Sequence, residues 1–184
     1  MLLKGEQLAA HLERELRPLY VLYGDDPLLV IEAADAIRAR SRQQGYTERE
    51  VLTVLPQFDW GTLLAAGGNM SLFGDKKLID LRIPTGKPGK EGSAAIQAYC
   101  EQLSDDVLTL VHLPRLDWQA QKGAWVAALD RSGVMVKIDP VERHALPGWI
   151  AQRLAAQGQR VAAGEAGQQA LAFFADRVEG NLLA

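Results

Sequence analysis

Leu8, Leu12 and Leu16 recur at every fourth position of residues 5–16 and so share one helix face, and Arg17-Pro18 should end that helix. This opening helix is expected to lie on the sheet that follows. Leu19-Tyr20-Val21-Leu22-Tyr23 is a continuous apolar run, the pattern of a strand covered on both faces. After Gly24, either Asp25 or Asp26 can cap a helix whose first position is Pro27 and whose pattern runs to Gly45. The alternation then repeats. Residues 50–55 predict a strand, 60–66 a helix, 77–83 a strand, 93–103 a helix, 107–113 a strand, 117–129 a helix capped by Asp117, and 134–138 the last strand. Five strands interleaved with helices predict an α/β fold with a parallel, doubly wound sheet, because each parallel step needs a crossover.

Two stretches depart from this rhythm. Thr85 to Gly92 holds no apolar anchor, so a mobile surface loop with solvated lysines is expected there. After Asp139-Pro140 the strand patterns stop, and residues 141–158 and 164–178 read as amphipathic helices through Leu146, Trp149, Ile150 and Leu154, then Leu171, Phe174 and Val178. The chain therefore divides into an α/β domain over residues 1–140 and a small helical domain over 141–184. Gly180 to Ala184 reads as a helix stop followed by a new cap, the pattern expected of a shortened chain or a proteolytic product.

The 184 residues are 48% hydrophobic, enough for a sizeable core, and 20 Lys+Arg against 23 Asp+Glu leave a formal charge of -3. A dedicated basic DNA-binding domain is disfavoured, because no global positive field holds a duplex by its phosphates. A single cysteine, Cys100, excludes an internal disulfide and a cysteine zinc cluster, and His11, His112 and His144 have no paired ligand spacing. No metal or other cofactor is expected. Met1 to Glu6 turns polar too early for a signal peptide and no apolar run suggests a membrane span, so the expected location is the cytoplasm.

A parallel sheet whose first strand leads through glycine into a helix invites a phosphate-binding loop. Gly24-Asp25-Asp26-Pro27-Leu28-Leu29 lacks the Gly-Lys-Ser/Thr that supplies a cation and a magnesium ligand, and its two carboxylates would repel phosphate. An Asp cap explains it better. The third strand, Lys77-Leu78-Ile79-Asp80-Leu81-Arg82, has the apolar run ending in Asp of a magnesium-binding strand, but Leu81 stands where a water-activating acid belongs. Asp80 is accordingly expected to be a residue at the surface end of its strand, and no catalytic residue is assigned. Cys100 reads as a buried structural thiol, Asp105/Asp106 as turn or cap residues, and Asn69-Met70-Ser71 as a chance sequon. Arg38, Arg40 and Arg42 are explained by the dipole at a helix end.

One segment fits two readings. Met70, Leu72 and Phe73 stand between glycines where a helix hands over to the third strand. They are either a helix end tucked into the core, or an apolar knob of the kind that fills a partner's pocket.

Together these residues resemble the delta subunit of the bacterial DNA polymerase III clamp loader. Met70-Ser71-Leu72-Phe73 resembles its clamp-binding motif, and Tyr23-Gly24-Asp25-Asp26-Pro27-Leu28-Leu29 its degenerate nucleotide loop. Asp59-Trp60 and Glu179-Gly180-Asn181-Leu182-Leu183-Ala184 match the pattern too. The resemblance implies a P-loop NTPase-like domain of the AAA+ class with its catalytic parts lost, then a helical lid. It implies a role as the wrench that binds the sliding clamp (beta subunit) and opens it for loading onto primed DNA, with Leu72 and Phe73 as the plug and Met70 beside them. Sister subunits would be met through a collar domain, absent here, and no catalysis is expected of this chain itself. Two alternatives are an active AAA+ ATPase and a generic DNA-binding domain.

Overall fold

Strands β1 (Leu2–Lys4), β2 (Leu19–Tyr23), β3 (Tyr46–Thr53), β4 (Lys76–Arg82), β5 (Val107–Leu113) and β6 (Val134–Lys137) form one parallel sheet in the order β1-β6-β2-β5-β4-β3. A computed structural model of the chain describes residues 1–68 and 76–183. The helices are α1 (Leu8–Arg14), α2 (Pro27–Gln43), α3 (Gly61–Gly68), α4 (Gly89–Cys100), α5 (Trp118–Gln121), α6 (Ala124–Ser132), α7 (Leu146–Ala156) and α8 (Glu165–Val178). The doubly wound α/β class follows from the two faces of the sheet. Alternate residues of β2 serve different cores: Leu19 and Val21 pack with Leu63, Ile96, Trp125 and Leu129 of α3, α4 and α6, whereas Tyr20 and Leu22 pack with Leu8, Leu12, Ala34 and Ile37 of α1 and α2. Burial on both sides is why β2 and β5 read as unbroken apolar runs.

The main departures from the sequence pattern lie at edges and glycines. A sixth strand, β1, pairs with β6 through Leu2↔Met135, Leu3↔Val136 and Lys4↔Lys137, and the opening helix is confined to residues 8–14 after a 3-10 turn. Strand β3 begins at Tyr46 rather than at Glu50; it is an edge strand, so Thr47, Glu48 and Arg49 stay exposed and polar. The stretch expected to be an unanchored loop enters α4 at Gly89. Gly92 is buried there, and a Cβ on it would lie 2.3 Å from Trp60 Cζ2, so this glycine lets the indole close on the helix. The helix expected over 117–129 is divided at Gly123 into α5, capped by Asp117, and α6.

The α4 face carries one polar tie through the core. Tyr99 Oη and Thr109 Oγ1 are 2.5 Å apart, Thr109 is buried on β5, and burial pushes the Tyr99 phenol up to about 12. Tyr99→Phe should cost about 1 to 3 kcal/mol, since it leaves the Thr109 hydroxyl without that partner. A urea titration whose midpoint matches the parent chain's would contradict this.

Beyond β6 the chain is helical. Helices α7 and α8 pack on each other, and Arg143 bonds both Asp176 (2.8 Å) and Glu179 (3.1 Å). Arg153 of α7 also forms an ion pair with Glu32 of α2. No helix among the described residues is long and apolar enough to cross a membrane.

Candidate functional site

The turn after β2 opens at the carboxyl ends of the central strands, the place where open α/β sheets bind ligands. Its glycine is required by packing: a Cβ at Gly24 would lie 2.2 Å from the carbonyl oxygen of Ile138 and 2.8 Å from Ile138 Cβ. Asp26 has extended backbone and its Oδ1 accepts from the Leu29 amide at 3.0 Å, with Pro27 in the first helical turn, so the amino end of α2 is capped by its own carboxylate. Asp25 Oδ1 accepts from the amide of Arg115 at 2.9 Å and ties the turn to the segment after β5. Both acids are thus committed to backbone N–H groups, and no lysine stands on the turn. A cleft of about 620 Å³ is lined by Gly24, Asp25, Asp26, Arg38, Arg82 and His112 among others.

Asp80 corrects the sequence reading. Flanked by Ile79 and Leu81, it is wholly buried rather than at the surface end of β4. Its Oδ2 accepts from Arg38 Nη2 and Arg49 Nη2, each at 2.6 Å, and its Oδ1 lies 2.9 Å from His112 Nε2 and 3.5 Å from Arg82 Nε. Burial by itself would push this carboxyl up. The hydrogen bonds from His112, Arg49 and Arg38 and the charge of His112 outweigh it and hold Asp80 well below the usual carboxylate range. Arg38 is likewise more than a helix-end charge: it joins α2 to β4 and also bonds Asp35 at 2.8 Å. A signal for this pairing was present in the sequence. Ala34, Ile37, Arg38 and Ser41 fall on one face of a helix, and an acid between two aliphatic strand residues needs a partner.

The remaining candidates are scattered. His11 is buried and its Nε2 lies 3.0 Å from Tyr20 Oη, with its ring held below the ordinary histidine value by burial. Burial pushes the Cys100 thiol up to about 11, away from thiolate chemistry. His144 lines a second cleft, of about 700 Å³, between α2 and α7, far in sequence from Asp80 and its partners. Asp59 Oδ1 accepts from the Gly61 amide at 2.9 Å at the start of α3, and Trp60 is buried beside Phe58. Met70, Leu72 and Phe73 lie outside the described residues.

Residues 20–139 match the family model described as DNA polymerase III, delta subunit. A curated relative, DNA polymerase III subunit delta of Escherichia coli (strain K12), is 33% identical over 179 residues, which cover 97% of this chain and 51% of the relative. The chain therefore spans about half the length of that protein. Among solved structures, the Bacillus subtilis DNA clamp loader delta protein superposes with a TM-score of 0.68 at 17% identity, covering 97% of this chain and 53% of that one. Domain III of the Thermotoga maritima replication initiation protein DnaA superposes at 0.55 with 14% identity, over 97% of this chain and 75% of that one. These likenesses are of fold, and the fold is the P-loop NTPase-like one of the AAA+ class.

Proposed function

Because this chain belongs to the DNA polymerase III delta subunit family, we propose that it is the clamp-binding portion of a clamp loader, acting as a wrench on the sliding clamp rather than as an ATPase. The observation that carries this reading is the family match over residues 20–139, which encloses Met70-Ser71-Leu72-Phe73. Leu72 and Phe73 form the plug for an apolar pocket of the clamp, and Met70 flanks them. Residues 1–140 are the α/β domain that includes this element, and residues 141–184 begin a helical lid. The turn at Gly24 to Leu29 supports a non-hydrolytic role, since it offers two committed carboxylates and no lysine where a nucleotide enzyme needs a cation. Contacts with sister subunits and with primed DNA are assigned to the assembled loader, with the ring-forming contacts in the half of its relatives that this chain does not span.

The test is binding of purified sliding clamp to the immobilised chain. Leu72→Ala and Phe73→Ala should each weaken binding by about 2 to 4 kcal/mol, or roughly 30- to 1,000-fold in Kd, with little change in melting midpoint. Loss of many degrees in Tm by Phe73→Ala, with clamp affinity retained by the folded fraction, would overturn the assignment.

A further inference from the structure

The Asp80 cluster contains more positive charge than it consumes. Three guanidinium groups, of Arg38, Arg49 and Arg82, converge on this one carboxylate, and Arg38 is also paired with Asp35. Three cations against two anions leave one positive charge in excess within these pairs. The register sets the geometry. Val51 pairs with Asp80 and Thr53 with Arg82, so Arg49, Val51, Thr53, Asp80 and Arg82 lie on one face of the β3–β4 edge. Asp80 is buried, whereas Arg49 and Arg82 are 42% and 45% exposed and Val51 is 45% exposed. Arg49 reaches Asp80 through Nη2 and Arg82 through Nε, so each fork has further N–H groups on its exposed side.

We propose that Arg49 and Arg82, aligned by Asp80 and backed by Arg38, form a binding site for a phosphoryl group. Two guanidinium forks held beside each other on opposite oxygens of one carboxylate repel one another, and an anion bridging their outer edges relieves that repulsion. A phosphoryl group, with several acceptor oxygens in a tetrahedral array, engages both forks at once. Arg38 and Arg82 share a cleft with Asp25 and Asp26, whose carboxylates are engaged with backbone amides, and Arg49 extends the site toward the β3 edge, away from that turn. It is independent of the clamp-binding proposal.

The experiment follows the arginine Nε–Hε signals of the intact chain by NMR during addition of inorganic phosphate, and separately of a 12-nucleotide single-stranded DNA, with ionic strength matched by sodium chloride. Saturable shifts of the Arg38, Arg49 and Arg82 signals with phosphate are expected; followed at Arg38, the cluster signal that remains, saturation should need at least tenfold more phosphate in R49Q/R82Q, and it should be unchanged in R131Q, which alters an arginine outside the cluster. Arg82→Lys, which keeps the charge but removes the fork, should weaken binding several-fold while preserving the fold. Tighter saturation by the oligonucleotide would identify the source as a nucleic-acid backbone, and saturation by phosphate alone would identify a small phosphorylated ligand. Shifts that do not saturate, that sodium chloride reproduces, or that survive intact in both R49Q/R82Q and Arg82→Lys would overturn the proposal.

Discussion

Asp80→Ala should destabilise the chain by about 3 to 5 kcal/mol, the range for removing one partner from a buried ion pair. At the size of this chain that is a drop in Tm of roughly 6 to 20 °C. The loss has a specific source. Arg38 is only 13% exposed and cannot swing into water without unpacking α2, so the variant confines its guanidinium near Arg49 and Arg82 with no anion between them. The effect should depend on pH in a defined direction. The carboxyl is held below its unfolded value, so its contribution is fully present above the ordinary carboxylate pKa of about 4 and fades as the pH falls below it. The gap between parent and Asp80→Ala should therefore be widest near neutrality and shrink in acid. Urea titrations at pH 7 and pH 3 check both statements, and a variant within about 0.5 kcal/mol of the parent at pH 7, the range of an ordinary surface change, would remove Asp80 from this role.

Gly24→Ala should be nearly as damaging, at about 3 kcal/mol or more, beyond the usual cost of overpacking because the obstructing atoms are backbone. The added methyl meets the Ile138 carbonyl oxygen at 2.2 Å, and Ile138 cannot retreat freely because its amide donates to the Tyr23 carbonyl at 2.9 Å. Relief requires parting the ends of β2 and β6. Gly45→Ala is the control: Gly45 has φ +90° but open space around it, so its cost is conformational alone, about 1 kcal/mol. Equal stability of the two variants in thermal melts would show that Gly24 is not held by this contact. In a working phosphate loop the glycine admits a ligand; here it admits the neighbouring strand.

What the sequence made legible follows from where burial is complete. Strands β2 and β5 are covered on both faces, and α2 announces itself by Asp26-Pro27, so the sequence pattern brackets all three closely. Strand β1 is three residues long with an exposed–intermediate–exposed pattern, and only its distant partner β6 makes it a strand. The start of β3 was hidden by Thr47-Glu48-Arg49, which are polar and exposed on the edge strand of the sheet. Gly89 to Gly92 looked unanchored because the residue that packs there is a glycine, and its apolar partner, Trp60, comes from another element. At the site, the cap at Asp26 is local and was readable. Arg38 and Asp80 are separated by 42 residues, so their pairing depends on the sheet that joins them. Met70, Leu72 and Phe73 fitted both a core and a knob reading in the sequence, the resemblance added the clamp-binding role, and they lie outside the described residues.

The pairing of β1 with β6 orders events in time. Leu3 must wait for Val136, and the Met1 ammonium bonds the Gly133 carbonyl at 3.1 Å across 132 residues of sequence. At roughly 5 to 20 residues per second of synthesis, on the order of ten seconds separate the emergence of the two strands. For most of that interval β2 has neither neighbour, because β5 emerges only at residues 107–113 and β6 after it, and β1 has no strand to join. Closure of this side of the sheet is thus a late, long-range event with a large loop to close. A segment fused ahead of Met1 would be carried to the sheet edge at that last step, so its length and charge would register first in how fast the chain folds.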